Sequence, residues 1–298
     1  MGTTTFNRSC VRLEDIFLKK IVVDNLKYKY PFSEALALDG LSFEIVQGEF
    51  IGVIGANSAG KSTLCQSIVG LVPHFYKGAY GGKVLVAGHE VKKHSIADLS
   101  LKAGIVFQNP FTQVTGSKMT VYEEIAFGLE NLGVKRTEMV ERIDYVMELL
   151  NIAQFKDRNP FDLSGGQMQR MAIASIIAMK PEIIVMDEPT SQLDPEGSEE
   201  VFRAIQSLSR EGITVVMAEH KMEKVAQYCN RVMLLQNGRL IDFDKPDKVF
   251  SRDDLEDYGV SPPVYTRVCK ALGIKKAGTP YYPVTLEEAE EALGARRI

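Results

Sequence analysis

Gly55-Ala56-Asn57-Ser58-Ala59-Gly60-Lys61-Ser62-Thr63 follows directly on the apolar run Phe50–Ile54. It fits the pattern G-x-x-x-x-G-K-[ST], in which a buried strand turns sharply into a helix and offers backbone N–H groups to phosphates. The helix N-terminus adds partial positive charge at the same place. Lys61 is placed to reach the β- and γ-phosphates, and Ser62 to set its hydroxyl on Mg²⁺. The four fixed positions coincide by accident in about one chain in a hundred of this size. The stretch therefore predicts a bound nucleotide and a helix from Lys61 to about Gly70.

The bulk properties narrow the setting. The chain has 298 residues, 45 % hydrophobic and 25 % charged, which is ordinary globular composition with room for a substantial core. A net charge of −4 gives no electrostatic case for nucleic acid or anionic lipid as the main partner. Cys10, Cys65, Cys229 and Cys269 lie far apart without a C-x-x-C pair, which opposes a zinc site and suits reduced thiols. No apolar run approaches the ~20 residues of a membrane span. Met1–Leu13 carries no secretory apolar segment, so membrane association is expected to come through a partner.

Local patterns divide the chain into regions. Residues 1–19 read as an N-terminal extension without clear periodicity. Residues 20–245 form one α/β domain. Its strands are expected at Ile21–Tyr30, Leu41–Ile45, Phe50–Ile54, Lys83–Ala87 and Gly104–Phe107. Within it, about 115–178 reads as a helical insertion with helices at Val121–Leu132, Thr137–Leu150 and Gly165–Met179, Thr137 starting the second and Gly133 stopping the first. The strand–helix rhythm then returns: Ile183–Met186, Pro195–Arg210, Ile213–Ala218, Met222–Tyr228, and a hairpin across Asn237-Gly238. Residues 246–298 read as a small proline-punctuated C-terminal extension, with helices at Val264–Leu272 and Leu286–Leu293.

Two further strings sit in order after the phosphate loop. Ile183-Ile184-Val185-Met186-Asp187-Glu188 is a buried strand ending in two carboxylates. Asp187 is placed to support Mg²⁺, and Glu188 to take a proton from an attacking water. Leu163-Ser164-Gly165-Gly166-Gln167 puts two glycines and a serine at a helix start, where N–H groups and a hydroxyl can reach a second phosphate. All five coincide by accident in fewer than roughly one chain in a thousand.

On these residues the chain resembles the nucleotide-binding subunit of an ABC (ATP-binding cassette) transporter, from residue 20 to 245. Gly55 to Thr63 matches the Walker A motif, Leu163 to Gln167 the signature motif, and Met186-Asp187-Glu188 the Walker B with its glutamate. The resemblance implies a P-loop NTPase (RecA-like) core with a β-rich N-terminal subdomain. It also implies that Gln108 serves as a Q-loop residue near Mg²⁺ and the membrane partner, and that Ser191-Gln192-Leu193-Asp194 is the D-loop. His220 would be the switch histidine, and Tyr30 the aromatic beside adenine. Val106-Phe107-Gln108-Asn109-Pro110 with Gln113, Ile125 to Gly133, and Glu219 to Val225 are similar to the energy-coupling-factor (ECF) ATPases, which serve importers of vitamins or of cobalt and nickel ions; the alternative is the ATPase subunit of another ABC importer.

The resemblance implies the rest of the functional expectation. Each signature motif contacts the ATP held by an opposite subunit, so a second ABC ATPase subunit, identical or related, is required. Integral membrane transporter subunits receive the motion, and the protein works at the cytoplasmic face of the membrane. No nucleic-acid partner is expected. A cassette of DNA repair or translation would add coiled coils, zinc modules or a second cassette, and a P-loop GTPase would carry Asn-Lys-x-Asp. The chain departs from the family at Ser58, where glycine is usual. If the loop needs φ > 0 there, serine adds roughly 1 kcal/mol of strain, while phosphate contacts through backbone N–H groups survive.

Overall fold

Apolar residues alternate along Lys19–Lys29 (β1), and Ile21, Val23, Leu26 and Tyr28 face inward. The alternation skips a step between Val23 and Leu26, where Asn25 takes φ +47 and a bulge restores the inward phase. This is the first element of a computed structural model that describes residues 19–294. Of the expected extension over residues 1–19, residues 1–18 lie outside the described residues and Lys19 opens β1. Leu38–Val46 (β2), Phe50–Ile54 (β3), Ala79–Val86 (β4) and His89–Glu90 (β5) follow. The order β2-β1-β4-β5 makes an antiparallel four-stranded sheet.

The second sheet is built from β3, Ala103–Val106 (β6), Ile183–Asp187 (β7), Thr214–Ala218 (β8), Arg231–Gln236 (β9) and Arg239–Asp244 (β10). Its order is β10-β9-β3-β8-β7-β6, parallel throughout except for the edge hairpin β9–β10. Strands β3, β7 and β8 are buried at every position because both sheet faces are covered. Their side chains still divide by period two. Phe50, Ile184, Met186, Val215 and Met217 enter one core, shared with Ile173, Val201 and Phe202. Ile51, Val53, Ile183, Val185 and Val216 enter a second core beneath the antiparallel sheet, shared with Leu64 and Ile68. Each such side chain contributes roughly 1.5–3 kcal/mol when fully buried.

The helix Lys61–Ile68 and the helix Pro195–Arg210 lie where the sequence predicts them. In the middle region, Val121–Asn131 and Gly165–Ala178 each begin with a reciprocal capping box, Thr120 with Glu123 and Ser164 with Gln167. The helix between them, Arg136–Leu149, corrects an expectation. Its N-cap is Lys135, without a side-chain cap, and Thr137 lies inside the first turn. Gly133 does end the preceding helix, at φ +66.

Past residue 245 the chain is partly core. Val249, Phe250, Leu255, Val260 and Val284 pack into the same cluster as β7 and β8. Only Cys269, Ile274 and Ala289 form a small core of their own beneath the helices Val264–Ala271 and Leu286–Gly294. Cys65, Cys229 and Cys269 are unpaired and buried, and burial pushes each thiol up from its usual value. Among the described residues, no helix is long and apolar enough to cross a membrane.

Candidate active site

The loop Gly55–Gly60 leaves the end of β3 and closes beneath the hairpin that joins β9 to β10. Gly55 takes φ +148 and Gly60 φ +105. A Cβ on Gly55 would stand 2.3 Å from the Leu235 carbonyl, and one on Gly60 would stand 2.7 Å from that of Ala37. Only glycine fits the close approach on both sides. The turn Asn237-Gly238 braces the loop: Gly238 N–H donates to Ala59 O at 3.0 Å, and Gly238 O accepts from Asp39 N–H at 2.8 Å. The Asn-Gly pair announces a hairpin in the sequence, but nothing in the local pattern shows what the turn rests against.

Ser58 sits at φ +63, so the position does require the left-handed conformation. Ser58→Gly should leave ATP affinity unchanged and raise stability by up to about 1 kcal/mol, read as a higher denaturation midpoint. Millimolar ATP affinity in the protein carrying Ser58 would show instead that the strain distorts the cradle.

A cleft of ≈ 310 Å³ lies over this loop, lined by Tyr30, Ala37, Asn57, Ser58, Gly60, Lys61, Ser62, Thr63 and Glu188. Lys61 is buried, and its ammonium donates to Gly55 O at 3.0 Å and Ala56 O at 3.1 Å. Burial pushes Lys61 below its ordinary value, while Glu188 and Asp187 pull it back up. Ser62 Oγ donates to Asp187 Oδ1 at 3.0 Å. Burial raises the Asp187 carboxyl, the Ser62 hydrogen bond opposing and the neighbouring Glu188 adding to the rise. Two hard oxygen donors in contact, one on a buried carboxylate, suit a small divalent cation. The Tyr30 hydroxyl bonds to Thr63 Oγ1 and Gln66 Oε1, each at 3.1 Å, and its ring stands edge-on to Tyr28 with centroids 4.8 Å apart. The aromatic is thus fixed at the rim of the cleft.

Glu188 follows β7 with φ +50, an uncommon conformation for a residue with a long side chain. The turn carries its carboxylate between two donors. Gln108 Nε2 donates to Oε2 at 2.6 Å, and His220 Nε2 lies 2.8 Å from Oε1. Gln108 is aimed by its neighbour: Phe107 N–H donates to Gln113 Oε1 at 2.9 Å, and Phe107 O accepts from Gln169 Nε2 at 3.2 Å. Glu188 thus combines an uncommon backbone conformation with two convergent polar side chains.

The structure does not bring every predicted residue to this cleft. Among the described residues, none of Leu163, Ser164, Gly165, Gly166 and Gln167 lines it. Ser164 caps its own helix, accepting from Gln167 N–H at 3.3 Å and donating its N–H to Gln167 Oε1 at 3.0 Å. A Cβ on Gly166 would stand 3.2 Å from Leu193, which seats the helix Gly165–Ala178 against the Ser191–Asp194 segment of the same chain. Asp194 caps the helix Pro195–Arg210, accepting from Gly197 N–H at 2.7 Å. Sequence reasoning missed Gln169 and Thr190. It quoted Glu219 without a role, because no short motif marks a buried carboxylate beside His220.

Known proteins are similar to this chain in sequence and fold. A family model described as ABC transporter matches residues 38–191. A putative ABC transporter ATP-binding protein of Pyrococcus abyssi is 42 % identical over 260 residues, 87 % of this chain and 91 % of the relative. The energy-coupling factor transporter ATP-binding protein EcfA1 of Lacticaseibacillus paracasei is 40 % identical over 262 residues, 87 % of this chain and 91 % of the relative. In solved structures, cbiO1 of Clostridium perfringens, part of the ABC transporter complex cbiONQ, superposes with a TM-score of 0.71 at 31 % identity, covering 86 % of this chain and 96 % of that one. A dimeric ATP-binding cassette in a post-hydrolysis state with ADP and phosphate superposes with a TM-score of 0.66 at 26 % identity, covering 76 % of this chain and 98 % of that one. With a P-loop cleft, a carboxylate held between Gln108 and His220, and these relatives, the chain belongs to the family of ABC transporter ATP-binding proteins.

Proposed function

We propose that this chain is the ATP-binding and hydrolysing subunit that energises an ECF-type importer at the cytoplasmic face of the membrane. The observation that carries the two-subunit reading is that Leu163–Gln167 stands outside the cleft over Lys61 and Glu188. A second cassette, of this chain or a close relative, brings its own Ser164, Gly165 and Gly166 to that cleft. Ser62, Asp187 and Gln108 would hold Mg²⁺, which supplies charge neutralisation at the phosphates. Gly55 to Thr63 bind and orient the phosphates, Tyr30 stands beside the base, and Glu188 takes a proton from the attacking water. His220 steadies that carboxylate. Asp194 and its D-loop lie between the signature helix and the Glu188 loop, where closure is sensed. Gln108 and the helices of residues 115–178 pass closure to the membrane subunits. The cargo class we propose, a vitamin or a transition-metal ion such as cobalt or nickel, is the one that the resemblance to ECF ATPases implies.

Affinity isolation from native membranes tests this reading. The chain should co-purify with a second ATPase subunit and integral membrane proteins, and its ATPase should rise when those are reconstituted in vesicles. A free monomer turning over at full rate, or stimulation by DNA or RNA alone, would overturn it.

A further inference from the structure

His220 is the middle of a Glu-His-Lys triplet, and both flanking side chains end on one residue, Thr190. Glu219 is a carboxylate with 3 % exposure. It accepts from the Thr190 hydroxyl, from His220 N–H at 2.5 Å and from Lys221 N–H at 3.1 Å. Lys221 reaches the same residue from the other side, its ammonium donating to Thr190 O at 3.0 Å and to Ser198 Oγ at 2.5 Å. Thr190 is fully buried and lies two residues past Glu188. Its carbonyl also accepts from Leu193 N–H at 3.2 Å, and Glu188 N–H donates to Ala218 O at 3.0 Å. The loop that carries Glu188 and the loop that carries His220 are thus cross-linked directly behind their own contact.

The chemistry suits a locating device. Strand β8 ends at Ala218; Glu219 N–H still donates to Val53 O of β3 at 3.2 Å, but the N–H groups of His220 and Lys221 have no sheet partner and need another acceptor. A single hydroxyl has lone pairs for at most two donors. An ionised carboxylate has lone pairs for three donors at once, and it is least costly to bury when all three are made. Charge-assisted bonds of this kind hold geometry more tightly than neutral ones.

We propose that Glu219 and Lys221 form a bracket on Thr190 that sets the position of His220 against Glu188. They are positioning residues for hydrolysis and do not touch the nucleotide. The inference rests on the reading that Glu188 and His220 carry out ATP hydrolysis.

The test is steady-state ATPase of the full chain with its partner subunits, with ATP binding measured alongside. Thr190→Val keeps the side-chain volume and removes only the hydroxyl; Glu219→Ala removes the acceptor. Both should lower kcat by about 10- to 100-fold, the loss expected for a misplaced active-site group, with KM and ATP affinity within about threefold of the parent. Thr190→Ser restores the hydroxyl and should restore kcat to within about threefold. In a His220→Ala background, Thr190→Val should subtract little more, because the bracket acts through His220. Parent-like kcat in Thr190→Val, or a full multiplicative loss on top of His220→Ala, overturns the bracket. Thr190→Val decides alone if Glu219→Ala fails to fold. Full turnover in His220→Ala would overturn the hydrolysis reading and the bracket with it. Lost turnover there, beside an unaffected Thr190→Val, overturns the bracket only.

Discussion

Glu188→Gln lowers ATP turnover by at least about 100-fold, the contribution of a positioned general base, while ATP still binds. The geometry argues for a chemical rather than a structural loss. Each carboxylate oxygen already has one donor, Gln108 Nε2 at 2.6 Å and His220 Nε2 at 2.8 Å. Glutamine has the same shape and can keep one of those bonds through its carbonyl. Its amide then faces the second donor, and it has no basic oxygen left for the proton of water. On the proposed reading the phosphates are held by Lys61, Ser62 and backbone N–H groups and not by Glu188, so affinity for ATP should change by less than about threefold. If two chains close on two ATP molecules, the variant accumulates as a closed dimer, visible by light scattering with ATP present. Turnover within about tenfold of the parent would remove Glu188 from the role of base.

Much of this site could be read in the sequence because its parts are short and contiguous. A five-residue apolar run predicts β3, and β7 and β8 show the same fully buried pattern. The helix Pro195–Arg210 has proline at its first turn, Asp194 as its cap and Gly212 just beyond, which is why its limits were legible to the residue. Contacts over long separation were not legible. Nothing near Phe50 indicates that β3 inserts between β8 and β9. Gln108 carries no local signal for a partner 80 residues away; its aim depends on Gln113 and Gln169 holding Phe107.

The region after residue 245 shows a different limit. Its weak periodicity reads as an appendage, yet Val249, Phe250 and Val260 complete the main core. Gly259 also approaches the phosphate loop, since a Cβ on it would stand 2.9 Å from the Ala56 Cβ. Single apolar residues spaced through loops leave no period to detect, even where they fill a core. Glu219 belongs with these cases. A buried carboxylate looks like a surface glutamate in one dimension, and only the ends of β7 and β8 lying side by side reveal its three donors.

Lys61→Met should weaken ATP binding by at least about 100-fold, equal to roughly 2.8 kcal/mol. The ammonium donates to two neutral carbonyls, Gly55 O and Ala56 O. Phosphate oxygens offer charged acceptors in the same reach, and hydrogen bonds to charged groups are worth about 1.5–3 kcal/mol each against about 1 for neutral ones. Methionine keeps the length and apolar stem but forfeits that exchange. A thermal-shift titration makes the difference plain. At ATP of 100 times the parent dissociation constant, the parent gains about 2.7 kcal/mol of stability and the variant under about 0.5. The pH dependence has a definite sign. Burial holds Lys61 below its ordinary value, and ATP binds the ammonium form, so parent affinity weakens as pH rises through that lowered value. Lys61→Met lacks the group and should lose this part of the pH response. Equal pH profiles, or a parent-like thermal shift in the variant, would show that the phosphates are held by the backbone cradle alone.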